Sequence, residues 1–219
     1  DSLPYTTDLR ELTLNLRAFD AGTPLDRINV WINGVPLHGR LGLRVEGNAR
    51  EVLRTVPIEL SPGNNKIQVT ALNAAGIESI RQTTQVVYTG PSRAPELHVF
   101  AIGVSSYTDS QYDLDYAAKD AKDLAQAFET ESGPFAKVHV NLLTDGAAKR
   151  GAVLAWRDLL LKSRVEDTVV LFFAGHGILD AELDYYLATA DMDFTTPSSR
   201  GLAYEDLEAL LDGIPARHK

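Results

Sequence analysis

The chain has 219 residues, 44% of them hydrophobic, a net charge of −9 and no cysteine. That content supports one large or two modest cores, excludes a disulfide scaffold or a thiolate metal site within these residues, and argues against nucleic acid or an anionic membrane as a partner. No window approaches the eighteen or so consecutive apolar residues of a membrane span, so a cytoplasmic protein is expected, with export left open by a start at Asp1. Residues 1–96 carry ten basic and ten acidic side chains, so the whole acidic excess falls on residues 97–219. Such an excess either favours a cationic substrate or serves solubility.

From Leu12 to Tyr88 short alternating runs are separated by turn residues. Leu12-Thr13-Leu14-Asn15-Leu16 and Ile28-Asn29-Val30-Trp31-Ile32 alternate cleanly, and Asn33-Gly34 is a hairpin signal. Val52 to Leu60 follows, then the turn Ser61-Pro62-Gly63-Asn64-Asn65, a strand over Lys66 to Leu72, the turn Ala75-Gly76, and a last strand over Thr83 to Tyr88. Six or seven short strands without a helical stretch predict an antiparallel β-sandwich over residues 1–90. The run Leu60 to Ile67, with Asn73-Ala74-Ala75-Gly76, resembles bacterial immunoglobulin-like modules. His38, beside a turn, reads as a surface residue, and the sandwich as a binding or regulatory module. Gly90-Pro91-Ser92-Arg93-Ala94-Pro95 then reads as a stiff linker, placed at residues 91–96.

After the linker the period changes. Leu97 to Val104 is a continuous apolar run, typical of a strand covered on both faces. A helix is predicted over Ala117 to Glu129, with Ala117, Ala121, Leu124, Ala125 and Phe128 on one stripe. Val138 to Leu143 is a second strand, Thr144-Asp145 a candidate cap, and Arg150 to Ser163 a second helix presenting Val153, Leu154, Trp156, Leu159 and Leu160. Thr168 to Phe173 is a third buried strand, Asp184 to Ala190 an extended stretch, and Tyr204 to Leu211 a final helix. This βαβ rhythm predicts a parallel sheet with helices on both faces over residues 97–219.

Parallel sheets carry their chemistry at the carboxyl ends of strands. There His176 stands, flanked by Gly175 and Gly177. His98 and His139 fall inside strands and read as packed or edge residues.

Four ordered segments carry a resemblance. They are Ala101 to Tyr107 with Leu114 to Ala121; Leu142-Leu143-Thr144-Asp145; Val169 to Gly177; and Tyr185 to Asp191. With these, residues 97–219 resemble the caspase-fold cysteine peptidases, in particular bacterial metacaspase-like members. The resemblance implies a cysteine endopeptidase that cuts after arginine or lysine and acts in regulated proteolysis, including defence. It makes His176 the general acid/base that pairs with a cysteine thiolate, and the Gly177 N–H a candidate oxyanion donor. Asp120 matches the acid of the primary specificity pocket, suited to a basic side chain.

One departure stands out. The caspase nucleophile lies about 50 residues after the histidine, near position 226. A carboxy-terminal segment after Lys219 is therefore the expected partner, supplying the cysteine. Proteolytic processing at an exposed basic loop, Pro215 to Lys219, is one route to it. The alternative reading is an inactive caspase-fold scaffold. No cofactor is expected; Asp180, Glu182, Asp184, Asp191 and Asp193 read as solvated acids, with calcium binding as the competing possibility.

Overall fold

The structure is a computed structural model and describes residues 3–219. The chain divides into two compact units, Asp1–Arg93 and Ala94–Lys219.

The first unit is all-β. Its strands are β1 (Thr6–Thr7), β2 (Glu11–Phe19), β3 (Leu25–Ile32), β4 (Val35–Pro36), β5 (Leu43–Arg44), β6 (Glu51–Glu59), β7 (Gly63–Asn73) and β8 (Gln82–Tyr88). One sheet runs in the order β1-β8-β7-β3-β4, with β5 also on β3, and a second sheet pairs β2 with β6. Alternation decides which side chains turn inward. Leu14, Val52, Val56 and Ile58 of the β2–β6 pair pack with Ile28, Val30, Ile32, Ile67 and Val86 of the larger sheet. The β3–β4 hairpin turns at Asn33 (φ 55°) and Gly34 (φ 85°), the left-handed pair that a two-residue hairpin of matching twist requires. β7 starts at Gly63, inside the predicted turn. The buried Asn65 side chain makes this possible, because its amide bonds the backbone carbonyls of Ser61 and Gly63 while its oxygen accepts the Ser61 N–H. His38 is half-buried rather than on the surface. Its Nε2 is enclosed, and burial lowers its pKa.

The second unit contains β9 (Glu96–Gly103), α1 (Ala117–Thr130), β10 (Lys137–Thr144), α2 (Arg150–Leu154), α3 (Arg157–Leu160), β11 (Thr168–Ala174), β12 (Gly177–Leu179), β13 (Tyr185–Leu187), β14 (Leu202–Ala203) and α4 (Tyr204–Leu211). β10, β9 and β11 form a parallel sheet in that order, while β12, β13 and β14 form a small antiparallel sheet. Because β9 is central, its two faces separate by residue parity. Phe100, Ile102 and Val104 join Trp156, Leu160 and Val169 in one core. Gly103 lies against α1, where a Cβ would come 2.5 Å from the Ala117 carbonyl oxygen and 2.7 Å from the Ala121 Cβ. The alanine stripe of α1 and this glycine let helix and sheet approach closely.

Two local expectations change. The predicted helix over Arg150 to Ser163 is split into α2 and α3. Trp156 N–H bonds Val153 O and Leu159 N–H bonds Trp156 O, the tighter i→i+3 spacing, where the Trp156 ring packs on Phe100. Asp145 does not cap a helix with its side chain: Oδ1 accepts the N–H groups of Ser105 (2.8 Å) and Ser106 (3.0 Å), tying the loop after β9 to the end of β10. At the start of α1, Ser105 Oγ accepts the Ala118 N–H.

Candidate active site at the carboxyl end of the parallel sheet

β11 leaves the parallel sheet at Ala174, whose carbonyl accepts the Val104 N–H at 2.9 Å. Three residues later, at Gly177, the chain enters the antiparallel sheet, so His176 stands at the corner between two sheets. Three bonds hold it. Its N–H donates to the Tyr107 hydroxyl (3.1 Å), its carbonyl accepts the Ala188 N–H (2.8 Å), and its Nε2 lies 2.8 Å from the Tyr112 carbonyl oxygen. A carbonyl can only accept, so Nε2 carries hydrogen and the lone pair of the neutral ring is on Nδ1. The ring is walled by Tyr107, Tyr112 and Phe194 at centroid distances of 5.3, 6.2 and 5.8 Å. Tyr112 and Phe194 stack on each other at 3.6 Å. Burial raises the Tyr107 pKa, which keeps that hydroxyl protonated.

The glycines answer to space. A Cβ on Gly175 would come 2.9 Å from the Phe173 ring and 3.0 Å from the Tyr107 hydroxyl, and one on Gly177 would overlap the Tyr185 hydroxyl. Gly177 pairs with Leu187 across β12–β13, and the Ala188 N–H to His176 O bond marks this as the pair without mutual hydrogen bonds. The Gly177 N–H therefore points away from β13.

Beside the Tyr112–Phe194 stack lies an open cleft of about 430 Å³ whose lining includes Asp109, Asp191, Asp193 and Arg200. Each of the three acids also has a local bond. Asp109 accepts from Gln111, Asp191 from Thr189, and Asp193 from Thr195, whose hydroxyl and N–H hold the Asp193 carboxyl below its usual pKa. Asp180 accepts the N–H groups of Glu182 and Asp184 and so shapes the β12–β13 turn. Asp120 is exposed on the first turn of α1, next to Lys119, and is neither a hydrogen-bond partner of His176 nor part of its aromatic wall. His98 and His139 lie away from this end of the sheet; both are bonded to carboxylates.

The segment after α4 departs from the expected exposed loop. Ile214 and Ala216 are buried, the Ala216 N–H donates to Ser163 Oγ (3.2 Å), and His218 forms a parallel bridge with Thr168. These residues enter the sheet beside the start of β11.

Sequence reasoning singled out His176 and its glycines but not the groups that hold them. A backbone carbonyl such as that of Tyr112 has no residue signature. Tyr107 stood in a segment read for another reason and Phe194 in none, and only their convergence on one ring gives them a role.

A parallel sheet ending in a positioned histidine, with a small antiparallel sheet folded beside it, defines an α/β domain built around that strand end. The profile of the caspase domain matches residues 98–215, more than half of the chain, and the chain belongs to that family. No curated protein matches. Two solved structures share a partial likeness. The fibronectin(III)-like modules of Clostridium thermocellum CbhA are 15% identical, with a TM-score of 0.33 over 42% of this chain and 96% of theirs. BC0361, a polysaccharide deacetylase from Bacillus cereus, is 11% identical, with a TM-score of 0.20 over 74% of this chain and 60% of its own. Likenesses that slight carry no argument about this protein.

Proposed function

We propose that the chain supplies the histidine half of a cysteine endopeptidase of metacaspase-like type, the thiolate coming from a strand that continues past His218 beside β11. The observation that carries this reading is the parallel bridge between His218 and Thr168, at the opposite end of β11 from His176. A strand continued in that register advances one residue per residue of β11, so that about position 226 comes level with His176, the separation caspase nucleophiles keep from their histidine.

The chemistry then follows from the ring's orientation. Nε2–H stays on the Tyr112 carbonyl, and Nδ1 takes the thiol proton. The thiolate attacks the scissile carbonyl carbon. The carbon–nitrogen bond breaks as Nδ1–H gives its proton to the leaving amine, and a water deprotonated by the same nitrogen hydrolyses the thioester. The Gly177 N–H, free of the β12–β13 ladder, is the proposed oxyanion donor. A basic residue before the cut suits Asp109, Asp191 and Asp193 in the adjacent cleft. Asp120 is the acid that the family resemblance nominates. Activation by cleavage within residues 215–219 belongs to the same proposal and requires this segment to open first, because Ala216 is buried.

The test is a chain extended through its natural downstream residues, assayed on peptides with arginine, lysine or aspartate before a reporter group. Cleavage after arginine and lysine, stopped by thiol alkylation, is expected. Equal inactivity on all three would defeat the peptidase and leave the caspase-fold scaffold.

A further inference from the structure

A second cluster of titratable groups lies at the amino end of the same parallel sheet, unused by the proposed chemistry. His98 of β9 and His139 of β10 are register partners, and their imidazoles stack with centroids 4.7 Å apart and planes within 7°. Each Nε2 faces a carboxylate: His139 to Glu96 Oε2 at 2.6 Å, His98 to Asp167 Oδ2 at 3.3 Å. Asp167 immediately precedes β11, is 2% exposed, and accepts the N–H groups of Glu96 and Arg164 at 2.9 Å each. Arg164 bonds the remaining oxygens, Glu96 Oε1 at 3.0 Å and Asp167 Oδ1 at 3.1 Å. One ligand atom from each of Glu96, His98 and His139 lies within 4.8 Å of the others, in an open groove of about 590 Å³.

We propose that this cluster is a divalent-metal site of zinc type, with Nε2 of His98, Nε2 of His139 and Glu96 Oε2 as ligands. Two imidazoles and a carboxylate, without thiolates, are a donor set that zinc takes. Neutral imidazole is the form that binds metal. On binding, each ring carries its proton on Nδ1, and the Nε2 lone pair goes to the metal. The ligand atoms close to the spacing of about 3.3 Å set by bonds of about 2.0 Å in a tetrahedron. His139 and Glu96, 32% and 28% exposed, have room to make that move. Arg164 neutralises the carboxylate oxygens that face away from the rings, and on binding His98 Nε2 exchanges its Asp167 partner for the metal while Asp167 keeps its bonds to Arg164 and the Glu96 N–H. The site would fasten β9 to β10, directly after the linker. It stands a full strand away from His176, on the order of 20 Å by the rise per residue, so it is separate from the chemistry proposed there.

The test uses the full chain carrying His176→Ala, which removes the other sheet-end imidazole. Titration with zinc, and with cobalt as a visible-absorbing probe, is followed by calorimetry, by ligand-field absorption and by thermal unfolding. One equivalent bound, a cobalt spectrum of low coordination number and a rise in Tm that a chelator reverses are expected. His98→Asn and His139→Asn, which keep a hydrogen-bonding side chain, should each weaken binding by about tenfold or more, whereas His38→Ala and His218→Ala should not. Absence of a one-to-one complex, or one indifferent to both asparagine variants, overturns the proposal. Circular dichroism of the metal-free variants keeps misfolding from passing as lost binding.

Discussion

The two ends of the parallel sheet treat histidine in opposite ways. At the carboxyl end His176 is held by a carbonyl oxygen and a tyrosine hydroxyl and walled by aromatic rings, with no carboxylate among the described residues bonded to its ring. At the amino end His98 and His139 are each bonded to a carboxylate. A neutral acceptor fixes a tautomer without committing the ring to the charged form, which suits a group that must take up and release a proton. A carboxylate instead offers a partner of full charge, which suits a structural pair or a metal.

Removing the ring at each end should therefore break different properties. His176→Ala in an extended, active chain should cut turnover by about a hundredfold to ten-thousandfold, the range of positioned acid–base catalysis, and leave Tm nearly unchanged. A loss of stability with turnover retained would reverse the roles assigned to the two ends.

At the amino end the expected cost falls on folding. Burial works to raise the Asp167 pKa, but the Arg164 guanidinium and the N–H groups of Glu96 and Arg164 outweigh it and hold the carboxyl below its ordinary 3.8. Glu96 is likewise held below 4.5, chiefly by His139. A pKa lowered in the folded state means that the unfolded chain binds protons first. The resulting stability is present above the ordinary carboxylate values and is lost as pH falls through the lower, folded ones. Asp167→Asn should cost about 2 to 3 kcal/mol near neutral pH and flatten the acid limb of a urea-unfolding series. An unchanged limb would show that the pairing contributes nothing.

Between the two ends, Gly103 tests how closely the helix must approach. Gly103→Ala places a methyl against Ala117 O and Ala121 Cβ, which are backbone and short side chain and cannot swing aside. A loss of about 2 kcal/mol is expected, read as a lowered midpoint of denaturant unfolding.

Much of this arrangement was legible in the residues, and the part that was not has a common cause. Alternation in Ile28 to Ile32, the Asn33-Gly34 turn and the apolar run from Leu97 to Val104 are local signals, and each became the element it predicts. The histidine at the end of β11 was legible for the same reason. What stayed hidden depends on contacts between distant residues: Ser105 bonding the start of α1, Asp145 bonding the loop after β9, Asp167 joining Glu96 to Arg164, and the Tyr112 carbonyl on His176. The predicted helix over Arg150 to Ser163 had the right apolar stripe, but periodicity does not register the tightening that seats Trp156 on Phe100.

The smallest effect probes what positions His176 rather than what it does. Tyr107 is 7% exposed, packs edge-on against Phe194 and faces the His176 ring, and its hydroxyl accepts the His176 N–H. Tyr107→Phe keeps the ring and removes only that acceptor, so about 1 kcal/mol of stability should be lost. In an active chain the corner carrying His176 would still be held by the Tyr112 and Ala188 bonds. Turnover should then fall by less than about tenfold, with the pH profile unmoved, because burial keeps the tyrosine hydroxyl neutral at working pH. A shifted profile would mean that the hydroxyl takes part in the proton transfers, and that the carboxyl end of the sheet uses two titrating groups instead of one.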